Sequence, residues 1–125
     1  MTTTRALGHH TELLALDYLK QQGCLKITVN YNTRIGEIDI IVADSDVLVF
    51  VEVRYRRETT RGTGAETVTP QKMRKIIRTA QHFLITHKQY KNMPCRFDVI
   101  SMSRSTSGSD DYSFDWIKRA FTLDT

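Results

Sequence analysis

Two adjacent segments rich in β-branched residues limit the folds available to this chain more than any other feature. Residues 36–43 (GEIDIIVA) and 47–55 (VLVFVEVRY) contain many Ile and Val residues, and residues 44–46 (DSD) between them are typical of a turn. The pattern predicts an antiparallel β-hairpin. Any fold proposed for the chain therefore has to contain a sheet that includes these two strands.

The register of the hairpin follows from its alternation, because successive residues of a strand point to opposite sides. Residues directly opposite each other in an antiparallel pair point to the same side. A two-residue loop at 45–46 therefore lets both strands turn their apolar residues to one core, and it places Asp39 opposite Glu52 and Glu37 opposite Arg54. The residues expected to share that core are Ile38, Ile40 and Val42 on the first strand and Val47, Val49, Val51 and Val53 on the second.

The carboxylates of Asp39 and Glu52 would repel each other in this register. A divalent cation would relieve the repulsion, since hard cations take carboxylate oxygens as ligands, and the backbone carbonyl of Val53 could supply another oxygen. Arg54, on the same face as Glu52, could then hold water or stabilise the charge that develops on a phosphate. The alternative is an ordinary ion pair between Glu37 and Arg54, with both other acids facing water. The pattern alone favours neither.

Helix and strand signals on both sides of the hairpin complete an α-β-β-β-α-β order. Gly23 is expected to end the first helix, and Thr69 followed by Pro70 is typical of a helix start. This order predicts one α/β domain, residues 1–125, with a mixed sheet flanked by helices and a mobile loop at about 101–112. The other predicted elements are a helix at 4–22, strands at 27–34 and 96–102, and a terminal segment at 114–121 of unassigned type.

Length and composition exclude several classes of protein. With 125 residues, 40% of them hydrophobic and 26% charged, the chain can bury a core and is too apolar for a disordered protein. No apolar run reaches the roughly 18 residues of a membrane span, and the N-terminus shows no secretory signal. Cys24 and Cys95 lie far apart and are expected to be buried free thiols. We therefore expect a cytoplasmic protein that does not contact a membrane.

Basic residues are concentrated in one part of the chain. Residues 1–53 contain four basic and seven acidic residues, whereas residues 54–91 contain ten basic and two acidic ones. In the second helix, apolar residues follow a helical spacing, and a basic stripe lies on the opposite, outer face. Such a face suggests a phosphate-rich partner, and the alternative is a solvated surface without a partner. The apolar residues are Met73, Ile76, Ile77, Ala80 and Leu84, and the stripe consists of Gln71, Arg74, Lys75, Arg78 and His82.

Glu12 falls inside the apolar arc of the first helix, between Leu16 and Leu19 in projection. An acid directed toward the core is costly unless it is paired or lies near a metal. The alternative is that the helix frays near its start and leaves Glu12 in water. Both interpretations are compatible with the sequence.

The segments GEIDIIV and LVFVEVRYR resemble the UPF0102, or YraN, family of small bacterial proteins, and the resemblance covers most of the chain. That family in turn resembles the PD-(D/E)xK nucleases, which have the restriction-endonuclease-like fold. The resemblance implies this fold, Asp39 and Glu52 as ligands of Mg²⁺ or Mn²⁺, and Glu12 beside the metal. Arg54 occupies the place of the nuclease Lys. Arg cannot act as a base, but it can orient water and donate to phosphate.

We therefore expect a nucleic-acid-binding protein, with DNA favoured over RNA, that acts as a metal-dependent endonuclease hydrolysing phosphodiester bonds. Asp39, Glu52 and Arg54 are the predicted catalytic residues. Two alternatives stay open, namely a catalytically inactive nucleic-acid-binding module and a protein-interaction module, and so does the oligomeric state. The predicted metal ligands are Asp39, Glu52, Glu12 and Val53. The residues predicted to contact nucleic acid are Arg34, Arg56, Arg57, Arg61, Gln71, Lys72, Arg74, Lys75 and Arg78.

Overall fold

The computed structural model describes residues 4–56, 68–104 and 112–122, with side chains from residue 8 onward. Its element order confirms the predicted α-β-β-β-α-β arrangement, and the terminal segment of unassigned type is a fifth strand. The elements are α1 (Thr4–Gln21), β1 (Leu25–Asn32), β2 (Glu37–Asp44), β3 (Val47–Arg56), α2 (Pro70–Thr86), a short 3-10 turn (Lys88–Tyr90), β4 (Cys95–Arg104) and β5 (Tyr112–Phe121).

The five strands form one mixed sheet in the order β1-β2-β3-β4-β5, as the predicted fold class requires. β3 and β4 are parallel, and the other neighbouring pairs are antiparallel. A parallel pair needs a crossover connection, and α2 lies in the connection between β3 and β4.

The predicted loop at 101–112 begins too early and ends too late. Residues 101–104 continue β4, where Ser101 pairs with Asp115 and Met102 with Phe114, and Tyr112 already belongs to β5. The many Ser residues of this segment suggested a loop, but cross-strand pairing outweighs their weak strand propensity. Residues 105–111 lie outside the described residues.

The hairpin of β2 and β3 has the predicted register over five pairs, but the expected pairs of Asp39 with Glu52 and of Glu37 with Arg54 lie beyond the observed ladder. Pairs run from Ile40 and Val51 to Asp44 and Val47, so the loop consists of two residues, and Ser45 has a φ of 54°. The prediction that Ile38 shares a core with Ile40 is wrong. Ile38 packs in the cluster of α2, whereas Ile40 packs in the cluster of α1, so the alternation of β2 is interrupted at Asp39.

The sheet is buried on both faces, because one helix packs against each. α1 contributes Ala15, Leu16 and Leu19 to one apolar cluster, and α2 contributes residues such as Ile76, Ile77 and Phe83 to the other. The sheet residues on the α1 side include Ile40, Val42, Val49, Val51 and Ile100. Those on the α2 side include Ile38, Ile41, Leu48, Phe50 and Val99.

The predicted helix ends are confirmed. Gly23 follows α1 with a φ of 97°, and the Thr69 hydroxyl accepts a hydrogen bond from Lys72 N at 3.2 Å, with Pro70 starting α2. Gly36 permits a close approach of the β1–β2 turn to α2, since a Cβ there would lie 3.2 Å from Thr79 Oγ1. This contact brings the turn and the outer face of α2 together.

The prediction for the two cysteines is confirmed in part. Both cysteines are free thiols as predicted, but only Cys24 is buried, and Cys95 at the start of β4 is exposed. Neither helix of the described residues has the length and apolar character that a membrane crossing requires.

Candidate metal centre and nucleic-acid interface

Asp39 lies where β2 and β3 continue beyond their ladder of paired residues. The last pair of the ladder at this end is Ile40 and Val51, and the Oδ2 atom of Asp39 accepts a hydrogen bond from Val53 N at 2.8 Å. On β1 the facing residue, Asn30, has a left-handed φ of 52°. A gap lies at this end of the sheet, and the side chain of Glu12 from α1 reaches it.

Three carboxylates meet in this gap. Glu12 of α1, Glu37 and Asp39 each place one oxygen within 4.8 Å of the other two. With its side-chain amide turned to satisfy both neighbours, Asn30 donates to Glu12 Oε2 at 2.6 Å and to Glu37 Oε1 at 3.3 Å. A cleft of about 490 Å³ opens here, lined by Gly8, His9, Glu12, Asn30, Asn32 and Glu37. Glu12 is half-buried beside Asp39.

The pKa values of two acids of the gap, Asp39 and Glu12, are raised above their ordinary values. Burial, followed by repulsion from Glu52, raises the pKa of Asp39 to about 8, and the hydrogen bond from Val53 N opposes the rise only in part. Burial is also the main cause that raises the pKa of Glu12, with smaller contributions from Glu37 and Glu52. A bound cation would remove the repulsion that these protons now relieve.

Glu52 is buried on the α2 side of the sheet, with only 4% of its side chain exposed. Its Oε1 atom lies 2.7 Å from Lys72 Nζ and 3.8 Å from Arg54 Nη1. Glu52 is close enough to Asp39 for its charge to raise the pKa of that carboxyl. Val53 directs its N–H to Asp39, and because the N–H and C=O of one strand residue point to the same side, its carbonyl faces the gap too.

Glu37 is a member of the acidic group that the sequence did not assign to the metal. The alternative interpretation paired it with Arg54, but its carboxylate turns to Glu12, Asp39 and the Asn30 amide. Glu37 and Asp39 are two residues apart on one strand, and this spacing was the available signal. The position of Glu12 gave no further signal for Glu37, because no local sequence pattern shows which end of a strand a helix residue reaches.

The basic face of α2 borders the site. Gln71, Arg74, Lys75 and Arg78 are exposed, and the apolar residues opposite them are buried or half-buried, as predicted. Gln71, Lys72 and Lys75 line a cleft of about 290 Å³ with Thr69.

The remaining residues predicted to contact nucleic acid are spread around this face. Arg34 is exposed in the β1–β2 turn, which packs on α2 through Gly36, and Arg56 is half-buried at the end of β3. Arg57 and Arg61 lie outside the described residues. Lys72 differs from the other residues of α2, since its ammonium points to Glu52.

Asp98 of β4 belongs to a different polar group. It is fully buried and accepts hydrogen bonds from Arg96 Nε, Trp116 Nε1 and Arg119 N. The β4–β5 register shifts between Phe97 and Val99, and Arg119 has a φ of 55°. Asp98 therefore stabilises this β-bulge, a contact between residues 18 or more positions apart that local alternation does not show.

Comparisons with known proteins identify the family. The sequence model described as "Uncharacterised protein family UPF0102" matches residues 11–102. The chain belongs to the UPF0102 family. It is 42% identical to a UPF0102 protein of Saccharophagus degradans over 116 residues, which cover 93% of this chain and 92% of that protein. Over 121 residues it is 39% identical to a UPF0102 protein of Stutzerimonas stutzeri, covering 97% of this chain and 98% of the relative. A UPF0102 protein of Vibrio cholerae is 41% identical over 120 residues, or 95% and 94% of the two chains.

The part of the chain that matches the UPF0102 model contains the whole acidic site. Glu12, Glu37, Asp39 and Glu52 all lie between residues 11 and 102, and so do Arg54 and α2. β5 and the bulge at Arg119 lie outside this range.

Proposed function

We propose that this protein is a metal-dependent endonuclease that binds nucleic acid, DNA in preference to RNA, and hydrolyses its phosphodiester bonds in the cytoplasm. The observation that carries the proposal is the meeting of Glu12, Glu37 and Asp39 at one strand end. Glu52 lies near enough to affect the pKa of Asp39 and contacts Lys72 of the basic helix α2. The α-β-β-β-α-β order also supports the proposal, because the chain resembles the restriction-endonuclease-like nucleases and this order is the one that their fold implies.

The residues of the gap suit a hard divalent cation. Mg²⁺ and Mn²⁺ prefer oxygen ligands, and the gap offers carboxylates together with the Val53 carbonyl. Asp39 and Glu52 would hold the ion, with Glu12 and Glu37 completing the set. Such an ion polarises a phosphate and lowers the pKa of a water molecule. The raised pKa of Asp39 and Glu12 fits this role, since a cation would replace the protons held there.

Arg54 would act as a fixed cation at the reacting phosphate. Its guanidinium lies near Glu52, with about a third of the side chain exposed, so it can reach both the acidic site and a substrate. Because Arg stays charged, it can donate to phosphate oxygens or align water but cannot remove a proton. The exposed cations of α2 would hold flanking phosphates, whose neutralisation dominates nucleic-acid affinity.

Titration calorimetry with Mn²⁺ tests the metal site. The wild-type protein should bind Mn²⁺, and the double variant Asp39→Asn/Glu52→Gln should not, because both predicted ligands lose their charge. Asp17→Asn, at an exposed position of α1, is the matched control and should bind as the wild type does. Equal heats for the wild type and the double variant would reject the metal site.

Cleavage assays then test the chemistry. Single-stranded, duplex and junction DNA and RNA should be offered with Mg²⁺ or Mn²⁺, and Arg54→Ala should cleave about 100-fold more slowly if Arg54 stabilises the developing charge. Arg54→Lys keeps the charge and should retain measurable cleavage.

A nucleic-acid-binding module without cleavage is the second candidate, favoured by Arg54 in place of the nuclease Lys. It predicts that Mn²⁺ and DNA bind while no substrate is cut. A protein-interaction module predicts a different result. It would show no binding to duplex or single-stranded nucleic acid of the kind that weakens steeply as salt is added.

A further inference from the structure

Glu52 is neutralised from a second structural layer. Lys72 Nζ lies 2.7 Å from Glu52 Oε1, closer than Arg54 Nη1 at 3.8 Å on the same strand as the acid. The Glu52 side chain is 4% exposed and that of Lys72 is 44% exposed, so the ammonium bridges a buried carboxylate and solvent. Lys72 is therefore the main counter-ion of a residue that the proposed function makes a metal ligand.

Lys72 lies at a helix position where a cation is unfavourable unless an acidic partner is close. The Thr69 cap and Pro70 fix Lys72 in the first turn of α2, where the helix dipole disfavours a cation, and no acid lies in that turn. A buried carboxylate, in turn, is costly without a positive charge beside it. The contact between Lys72 and Glu52 meets both requirements at once.

We propose that the ammonium of Lys72 neutralises Glu52 in the metal-free protein and that a bound divalent cation takes over this role. The two cations therefore compete for this carboxylate. The proposal rests on the proposed function, because it requires Glu52 to be a metal ligand. A divalent ion and an ammonium cannot both lie close to one carboxylate oxygen without repelling each other. Metal binding must therefore weaken the contact between Lys72 and Glu52.

A cleft beside Lys72 could accept the ammonium once it leaves Glu52. Lys72 also lines the cleft of about 290 Å³ that Thr69, Gln71 and Lys75 form on the outer face of α2. A phosphate bound beside the metal would offer the ammonium a new partner of the same sign as Glu52. Lys72 is thus a positioning residue that holds the ligand ready before the metal arrives and turns to the substrate afterwards.

Mn²⁺ titration of four proteins tests the competition, namely the wild type, Lys72→Gln, Lys72→Arg and Lys75→Gln. Loss of a half-exposed competing ion pair corresponds to about 1 kcal/mol, so Lys72→Gln should bind Mn²⁺ about fivefold more tightly. Lys72→Arg keeps the charge and should restore an affinity near that of the wild type. Lys75→Gln removes the same charge one turn further along α2 and controls for the general field of the helix.

Thermal unfolding supplies a readout that does not depend on cleavage. Without metal, Lys72→Gln should unfold at a lower temperature than the wild type, because Glu52 loses its nearest cation. In saturating Mn²⁺ the difference should shrink, whereas a purely structural lysine would cost the same in both conditions. If Lys72→Gln does not fold, Lys72→Met, which keeps most of the aliphatic stem, takes its place.

The outcomes separate this proposal from the proposed function. Wild type and Lys72→Gln binding Mn²⁺ with equal affinity, or Lys72→Gln binding more weakly, would overturn the competition while leaving the metal site intact. No heat from either protein would overturn the metal site, and the competition with it. An equal gain in affinity for Lys75→Gln would also overturn it, since the effect would then belong to the helix field.

Discussion

Replacement of Asp39 by Asn should stabilise the metal-free protein, although Asp39 is the central residue of the proposed site. The Asn oxygen can still accept the hydrogen bond from Val53 N, so the backbone contact of 2.8 Å is kept. The Asn amide can donate to the neighbouring carboxylates, which now repel Asp39. The change therefore removes a carboxyl group that the fold disfavours in its charged form, and it keeps the hydrogen bond from Val53 N.

The magnitude follows from the raised pKa. Asp39 titrates at 3.8 in an unperturbed chain and at about 8 in the fold, because of burial and the charge of Glu52. At pH 7 the unfolded chain has lost a proton that the fold retains, and at about 1.4 kcal/mol per pH unit this corresponds to about 4 kcal/mol. Because Glu12 is only half-buried and Glu37 is exposed, relaxation and solvent screening should reduce the gain of Asp39→Asn to about 2 kcal/mol.

The sign of the pH dependence is fixed by the same shift. Between about pH 4 and pH 8 the fold binds more protons than the unfolded chain, so the stability of the metal-free wild type should fall as pH rises through this range. Asp39→Asn should flatten the curve, and at pH 7 it should unfold about 8 °C higher than the wild type. Circular dichroism melts in EDTA at several pH values measure both effects.

Added Mn²⁺ should reverse the order of stabilities. The wild type gains stability from a ligand that binds only its fold, about 2.7 kcal/mol at 100 times the dissociation constant, and Asp39→Asn should gain little. Asp17→Asn is the control at an exposed carboxylate and should melt within about 2 °C of the wild type in both buffers. A destabilised Asp39→Asn in EDTA, or a pH curve as steep as that of the wild type, would refute the reasoning.

Two further predictions concern the basic stripe of α2 and the buried acid Asp98. Replacement of Arg74, Lys75 and Arg78 by Gln should flatten the slope of log K against log[salt] on duplex DNA by up to about 2.7, because each phosphate that a side chain neutralises adds about 0.9 to the slope; an unchanged slope in a filter-binding titration would make this stripe a plain solvated face. Asp98→Asn should lower the free energy of unfolding by about 2–3 kcal/mol, because Arg96 loses one of its two ionic partners and keeps Asp44, and because Trp116 Nε1 and Arg119 N are left with one acceptor oxygen between them. In urea titrations Asp115→Asn, exposed on β5, should change it by less than about 0.5 kcal/mol. If the folded Asp98→Asn protein lost Mn²⁺ binding, Asp98 would belong to the metal site after all.

The register, the helix ends and the apolar faces of the helices could be predicted from the sequence because each depends on neighbours along the chain. The two-residue loop at 45–46 fixes every pair of the hairpin, and Thr69 with Pro70 marks the start of α2. The fifth strand could not be predicted in this way. Its pairing with β4 depends on a bulge held by the distant Asp98, and nothing within residues 114–121 shows that partner.

For the candidate site, too, the sequence predicts what depends on chain neighbours and misses what depends on tertiary packing. Asp39 and Glu52 could be singled out because hairpin register is local, and Glu37, two residues before Asp39 on the same strand, was the acid that this reasoning left out. The direction of Lys72 could not be found, since it depends on how the first turn of α2 lies over the end of β3. The interruption of β2 at Asp39 was also beyond local reasoning, because strict alternation would place Ile38 beside Ile40.

The acidic gap is better explained by a cation than by the needs of the fold. The contact of Asp39 that the fold uses is an acceptor for Val53 N, and an amide oxygen would serve equally well. The negative charge adds only cost, since burial and the neighbouring acids raise the pKa of Asp39 to about 8. Glu12 adds a second acid with a raised pKa from another layer, although a glutamine of the same shape could bond to Asn30. Three acids from α1 and β2 thus lie within 4.8 Å of one another in a group that could hold a metal ion, and carboxylate oxygens are the ligands that hard divalent cations take.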